Sequence, residues 1–212
     1  MAEELIVNEI FYSLQGESSL VGYPTVFVRL TGCPLRCHYC DTTYAFHEGS
    51  PMTFAAILTI VAGYRTPYIL LTGGEPLAQK KTIPFLKTLC DLGYQVSLET
   101  SGAFDIKSVD MRVKKILDIK TPGSGEATRN RWENLHDLTA HDEVKLVLTN
   151  RADYEWAKNI LANHCFPCPV LFSPASETLL PATLAQWILE DQLLVRFQLQ
   201  LHKILWGETR GR

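Results

Sequence analysis

Four times along this 212-residue chain an apolar run ends in a short polar cluster rich in glycine or cysteine. "TVFVRL" runs into "TGCPLRC", "PYILL" into "TGGEP", "QVSL" into "ETSG", and "VKKIL" into "DIKTPGSGE". Such runs, stopped by Gly and Pro, read as buried strands. Helical stretches alternate with them. "TFAAILTIVAGY" has Gly63 as its expected C-cap, and "LAQKKTIPFLKTLCDLGY" has Pro84 at its expected start and Gly93 past its end. Upstream, "NEIFYSLQGE" is strand-like and then turns. Downstream, "RNRWENLHDL" reads as a short helix, "DEVKLVLTN" as a strand and "ADYEWAKNILANH" as an amphipathic helix. "PVLFSP" is a further strand, "PATLAQWILED" a helix with Pro181 near its start, and "LLVRFQLQLHK" a final strand.

Strands that alternate with helices build parallel βαβ units. About seven strands with four or five helices approach a (β/α) barrel, but the chain falls short of the ~250 residues of a full eightfold one. The expected fold is therefore α/β, a partial (β/α) barrel with mostly parallel strands. No linker, repeat or low-complexity tract interrupts it, so residues 1–212 are expected to form one domain. In such folds the strand C-termini carry the chemistry. The four polar clusters should therefore meet at one mouth.

Composition excludes several classes. The net charge is -3 with no long run of one sign, which argues against a mainly electrostatic nucleic-acid or membrane binder. The start, "MAEELIVNEIFYS", is acidic and lacks the apolar segment of a secretory signal. No stretch approaches the ~18 apolar residues of a membrane span. A cytoplasmic location is expected, where six cysteines are ligands or buried thiols before they are disulfides.

Three of those thiols, Cys33, Cys37 and Cys40, are spaced Cys-x3-Cys-x2-Cys. A disulfide would leave one over. A structural zinc site wants a fourth ligand, usually from a distant pair, and His38 is awkwardly adjacent to Cys37. Thiolate softness suits a [4Fe–4S] cluster with one iron left open, though most such clusters have four Cys ligands. Zinc and plain buried thiols remain alternatives on spacing alone.

Taken together, "RLTGCPLRCHYCDTTYA" and "LLTGGEP" resemble the radical S-adenosylmethionine (SAM) superfamily. With "FYSLQGE", "LETSG", "LDIKTPGSGE" and "LQLHKILWG", nearly the whole chain resembles the 7-carboxy-7-deazaguanine synthases. The chain departs from that pattern in two places. Ser18 follows "QGE" where glycine is usual, and Thr121 follows Lys120 where cysteine is usual.

The resemblance implies an enzyme of queuosine and 7-deazaguanine biosynthesis, a radical SAM carbon–nitrogen lyase. It would contract the ring of 6-carboxy-5,6,7,8-tetrahydropterin to 7-carboxy-7-deazaguanine with loss of ammonia. Cys33, Cys37 and Cys40 would hold the [4Fe–4S] cluster, and Thr42 would be a Mg2+ ligand. Tyr39, Asp41, Gly73, Gly74, Glu75, Asp118, Lys120, Ser173 and Pro174 would meet S-adenosyl-L-methionine. Within that set, glycine at 73 and 74 lets backbone approach the cofactor without an intervening Cβ, and Glu75 would hold its amino group. Leu14, Gln15, Gly16, Arg29, Thr72, Gln200, His202 and Lys203 would form the substrate wall, with Arg29 forking onto the substrate carboxylate. No side chain beyond these is implied as catalytic. A homodimer and an electron donor such as flavodoxin or ferredoxin are also implied.

Two rival functions share the cysteine loop. One is a glycyl-radical-enzyme activase working on a partner protein, and the other is a non-enzymatic iron–sulfur or zinc protein. "CFPC", with Cys165 and Cys168, has no second pair and reads as structural or incidental. Cys90, Tyr154 and Trp156 read as packing residues.

Overall fold

The computed structural model describes residues 3–176 and 178–212; Met1 and Ala2, at the start of the expected domain, and Glu177 lie outside the described residues. The strands are β1 (Glu4–Leu14), β2 (Pro24–Leu30), β3 (Ser50–Thr53), β4 (Tyr68–Gly73), β5 (Gln95–Thr100), β6 (Lys114–Asp118), β7 (Glu143–Leu148), β8 (Val170–Pro174) and β9 (Arg196–Phe197). The helices are α1 (Phe54–Val61), α2 (Thr82–Asp91), α3 (Arg151–Asn163), α4 (Pro181–Glu190) and α5 (Leu201–Trp206).

All described strands join one sheet in the order β3-β1-β2-β4-β5-β6-β7-β8-β9. From β2 through β9 each neighbouring pair is parallel, while β1 runs antiparallel to both β2 and β3. The sheet thus extends the expected partial barrel at one edge by an antiparallel pair. No described helix is long and apolar enough to cross a membrane.

The period of two along each strand divides the sheet into two faces. Val26, Val28, Leu30, Ile69, Leu71, Val96, Leu98, Leu117, Val144, Leu146, Leu148, Val170 and Phe172 belong to the large core under the helices. Phe27, Leu70 and Ile116 form a small separate cluster on the other face, with Phe11 packed against it. Arg29, Thr72, Glu99, Asp118 and Lys145 alternate onto this second face. In β1 the parity changes at an irregularity between Val7 and Glu9, so Val7 pairs with Leu30 while Glu9 pairs with Arg29. A one-residue bulge of this kind moves later side chains to the opposite face.

Local chemistry explains the helix ends. Thr53 caps α1 by accepting from the Ala56 N–H, and Asn150 caps α3 by accepting from the Asp153 N–H; such caps contribute about 1 kcal/mol each. Gly93 ends α2 with φ +88°. The expected cap at Gly63 is corrected to Ala62, because no left-handed residue closes α1. Helix α2 begins at Thr82, with Pro84 inside its first turn, where a missing N–H is harmless. "RNRWENLHDL" contains a 3-10 turn, Trp132–Asp137. The expected final strand "LLVRFQLQLHK" is also corrected: only Arg196–Phe197 pairs with β8, and Leu201 begins helix α5. Its apolar alternation reflects an edge segment that folds back over the sheet end.

Ser18 has φ +67°, a left-handed backbone that disfavours any side chain, which explains why glycine suits this position. Its conformation is held by its N–H to Gln198 Oε1 at 2.6 Å and its carbonyl to Arg196 Nη2 at 2.9 Å. Ser18→Gly is expected to stabilise the fold by about 0.5–1 kcal/mol, the relieved strain exceeding glycine's extra unfolded-state entropy. Urea unfolding checks this, and a lower midpoint would show that the Ser18 hydroxyl matters more than the strain.

Candidate active site

The strand C-termini open into one cavity of about 680 Å3. Cys33, Cys37 and Cys40 line it together with Tyr39, Asp41 and Thr42 from the same loop. Gly73 and Gly74 line it at the end of β4, and Asp118 and Lys120 at the end of β6. Leu14, Gln15, Gly16, Arg29, Thr72, Gln200, His202 and Lys203 complete the wall. Of the residues singled out from the sequence, Glu75, Ser173 and Pro174 stand behind the lining. Ser173 is fully buried, and its Oγ has no partner among the described residues.

The three thiols are free. Burial pushes the Cys37 thiol up to about 11 and raises Cys33 as well. No three His, Cys, Asp or Glu side chains among the described residues converge on a single-ion site. The donor set at the cavity is three soft thiols, which fits an iron–sulfur cluster held by thiolates. Thr42 stands beside them, its Oγ1 3.8 Å from Cys40 Sγ.

The two glycines also have a packing reason, besides the one read in the sequence. A Cβ on Gly73 would strike the Leu30 backbone, and one on Gly74 would strike Gly32 and the Cβ of Cys33. The missing side chains therefore first let β4 close on the start of the cysteine loop. The Glu75 N–H seals this junction by donating to the Gly32 carbonyl at 2.7 Å. Glu75 itself is fully buried. Its carboxylate accepts from the Leu77 N–H at 2.9 Å, the Thr100 hydroxyl at 2.9 Å, and the Ser101 N–H and hydroxyl at 2.7 and 2.6 Å. It braces the turn after β5, so Thr100 and Ser101 rather than Glu75 reach the cavity.

The β6 loop is braced in the same way. Buried Thr121, standing where cysteine is usual, shares its one hydroxyl proton between the Val147 carbonyl at 3.1 Å and Asp153 at 3.0 Å. Asp153 also accepts from the Gly123 N–H at 2.7 Å and the Thr149 hydroxyl at 2.7 Å.

A line of charges, with Glu17 and Lys145 buried and Asp118 and Lys120 partly so, crosses the cavity floor. Lys145 Nζ lies 2.7 Å from Glu17 and 3.5 Å from Asp118, whose other neighbour is Lys120 at 3.1 Å. For Glu17, burial alone would raise the carboxyl, but Lys145 and Gln200 outweigh it and hold it down at about 2. Burial likewise opposes the charge on Lys145, yet Glu17, Glu99 and Asp118 raise its affinity for a proton well above the usual value. Glu99, desolvated more than it is paired, is pushed up. Burial lowers His202, whose ring packs where a Cβ of Gly16 would be.

Glu17 also ties the two halves of the substrate wall together. It accepts from Gln198 at 3.2 Å and Gln200 at 3.0 Å, while the Gly16 carbonyl accepts from the Leu201 N–H at 2.9 Å. Glu208 and Arg212 bring the end of the described chain to the cavity. Three buried polar atoms on lining residues have no partner among the described residues: Gln15 Nε2, Tyr39 Oη and Asp118 Oδ1. Buried polar atoms are nearly always hydrogen-bonded, so these three mark positions that a polar ligand would satisfy. Sequence reasoning missed Glu17, Glu99 and Lys145. Their signal was a charged residue alternating within, or just beyond, an apolar strand.

A partial barrel with a three-cysteine loop at the strand mouth defines a radical SAM protein. Residues 27–121 match the Radical SAM superfamily model, and proteins of that superfamily use S-adenosylmethionine with a [4Fe–4S] cluster. The chain is 45% identical to the 7-carboxy-7-deazaguanine synthase of Chlorobaculum tepidum, with 98% of this chain and 97% of that protein covered. It is 44% identical to that of Koribacter versatilis, with 97% and 99% covered. The crystal structure of QueE from Escherichia coli shares the fold, with TM-score 0.77 at 23% identity over 94% of this chain and 95% of that one. The chain belongs to the 7-carboxy-7-deazaguanine synthase family and is a radical SAM enzyme.

Proposed function

We propose that the enzyme converts 6-carboxy-5,6,7,8-tetrahydropterin to 7-carboxy-7-deazaguanine with release of ammonia, as a cytoplasmic step of queuosine and 7-deazaguanine biosynthesis. The observation that carries this reading is the meeting, in one cavity, of the three-thiol loop and an opposite wall containing Arg29, Gln15 and His202. The names of the relatives support the product. When bound to the three thiolates, the cluster with S-adenosylmethionine supplies the radical that takes one hydrogen from the substrate.

The chain's own residues then bind, orient and enclose. Arg29 takes the substrate carboxylate through its terminal nitrogens, since its Nε is committed to Glu9 at 2.8 Å. Gln15, the Gly16 backbone and Thr72 meet the flat heterocycle. Gln200, His202 and Lys203 close over it, and the low proton affinity of His202 keeps its ring a neutral hydrogen-bonding group near pH 7. Tyr39, Asp41, Asp118 and Lys120 surround S-adenosylmethionine beside Gly73 and Gly74. The unpartnered Tyr39 Oη and Asp118 Oδ1 offer one donor and one acceptor. Glu75 acts on this site through Thr100 and Ser101. Thr42 is the protein ligand to Mg2+, which ordinarily takes few protein oxygens and completes its shell with water or substrate. The enzyme works as a homodimer and receives electrons from a flavodoxin- or ferredoxin-type donor.

The test is anaerobic. Reconstituted protein is given reductant, Mg2+, S-adenosylmethionine and 6-carboxytetrahydropterin, and 7-carboxy-7-deazaguanine is sought by mass. The expected result is product that disappears in Cys37→Ala. Deoxyadenosine without that product would keep the radical chemistry and overturn the substrate.

A further inference from the structure

Glu9, Tyr44 and Arg29 form a contiguous polar set at the edge of the cavity, and only Arg29 lines it. Glu9 Oε1 accepts from Arg29 Nε at 2.8 Å and from the Tyr44 hydroxyl at 3.0 Å. The Arg29 guanidinium carbon lies 5.9 Å from the ring centres of both Phe11 and Tyr44. Phe11 is in turn stacked on Phe27 at 4.7 Å with the rings 4° apart. From the far end of the chain, the Arg210 guanidinium stands 3.6 Å from the Tyr44 ring centre and pairs with Glu48 at 3.0 Å.

This arrangement depends on the irregularity in β1. Without it, Glu9 would share a face with Val7 and lie among the apolar residues under the helices. With it, Glu9 stands directly across from Arg29. An arginine side chain has many rotamers, and a two-bond fork onto a carboxylate needs one of them. A carboxylate fixed on Nε, with two aromatic rings flanking the guanidinium at 5.9 Å, restricts that choice and leaves the two terminal nitrogens uncommitted to Glu9.

We propose that Glu9 and Tyr44 are positioning residues that orient Arg29 for a carboxylate-bearing ligand, making the enzyme selective for the 6-carboxyl group. This deepens the reading of Arg29 given above and rests on it. The sign of the effect separates positioning from simple electrostatics. Glu9 is an anion near a site for an anion, so a purely electrostatic role predicts tighter binding once its charge is removed. A positioning role predicts weaker binding when the acceptor oxygen is lost, and recovery when only the charge is lost.

The experiment measures direct binding of 6-carboxypterin and of pterin lacking the carboxyl, by fluorescence quenching, on the cluster-loaded enzyme. The variants are Glu9→Ala, Glu9→Gln, Tyr44→Phe and Arg29→Lys. Glu9→Ala should weaken 6-carboxypterin at least tenfold and change pterin less than twofold, with KM for the carboxylated substrate rising more than kcat falls. Glu9→Gln keeps an oxygen for Arg29 Nε and should recover to within threefold of wild type. Tyr44→Phe should fall between. Equal losses for both ligands, or tightening in both Glu9 variants, would overturn the proposal. If Arg29→Lys abolishes the preference for the carboxylated ligand while the Glu9 and Tyr44 variants keep it, positioning fails and the Arg29 reading stands. If Arg29→Lys keeps the preference, the Arg29 reading itself fails.

Discussion

Lys145→Met will lower the unfolding free energy by about 3–5 kcal/mol at neutral pH, the usual penalty for stripping one partner from a buried ion pair. Lys145 is 7% exposed and Glu17 also 7%. Methionine matches the aliphatic stem of lysine, so packing is conserved and the loss is electrostatic. It leaves Glu17, Glu99 and Asp118 around one cavity floor without their shared cation. The pH dependence gives the sharper check. In the wild type Glu17 is held at about 2, below its usual 4.5, so its contribution is fully present above about pH 4.5 and lost as pH falls toward 2. In the variant, burial acts unopposed by Lys145 and raises that carboxyl above its unfolded value. The folded state then binds the extra proton, and stability declines as pH rises from about 5 to 8. Urea unfolding across this range should show the variant losing stability with rising pH, and Glu17→Gln added to Lys145→Met should restore part of it. A variant as stable as wild type at pH 8 would show that water reaches the pair.

The charge line also marks the limit of what the residues alone disclosed. The βαβ order, the single mouth and the loop-borne residues could be read because Gly, Pro and Cys interrupt apolar runs at the strand ends, and local chemistry governs those positions. Lys145 and Glu99 could not be read as site residues, because a charge within "EVKLVL" or "QVSLET" gains its meaning only when the sheet curves and its second face becomes a cavity wall. Glu9 was hidden for a related reason. A strict alternation from Leu5 and Val7 puts residue 9 under the helices, and only the register shift in β1 turns it toward Arg29. Glu75 carries a set of partners that the sequence did not disclose. Its place in "TGGEP" pointed to the cofactor, yet four protein donor groups, from Leu77, Thr100 and Ser101, already occupy its carboxylate.

Gly74→Ala will impair assembly of the cluster site while leaving the sheet largely intact. The new Cβ would lie 2.7 Å from the Gly32 carbonyl carbon and 2.8 Å from the Cβ of Cys33, distances that no real methyl tolerates. The obstacle is mostly backbone, so no rotamer change relieves it, and the end of β4 must move away from the loop. Two backbone bonds stretch with it: Gly74 N–H to the Leu30 carbonyl at 3.1 Å and Glu75 N–H to the Gly32 carbonyl at 2.7 Å. Overpacking of this kind costs about 1–3 kcal/mol, and each weakened bond adds about 1 kcal/mol. That loss is within reach of a folded protein, so the larger effect falls on function. Cys33 is pushed off while Cys37 and Cys40 stay, and a displacement of about 1 Å at a reacting centre reduces turnover roughly a hundredfold. After anaerobic reconstitution the variant should retain wild-type far-ultraviolet dichroism but hold less than half the wild-type iron. Gly22→Ala is the control. That glycine has φ +86° and nothing within 4 Å of an added Cβ, so the substitution should cost about 1 kcal/mol of backbone strain and leave iron content unchanged. Full iron loading and wild-type turnover in Gly74→Ala would mean that the junction between β4 and the cysteine loop yields, and that neither the junction nor the ligand needs glycine at this position.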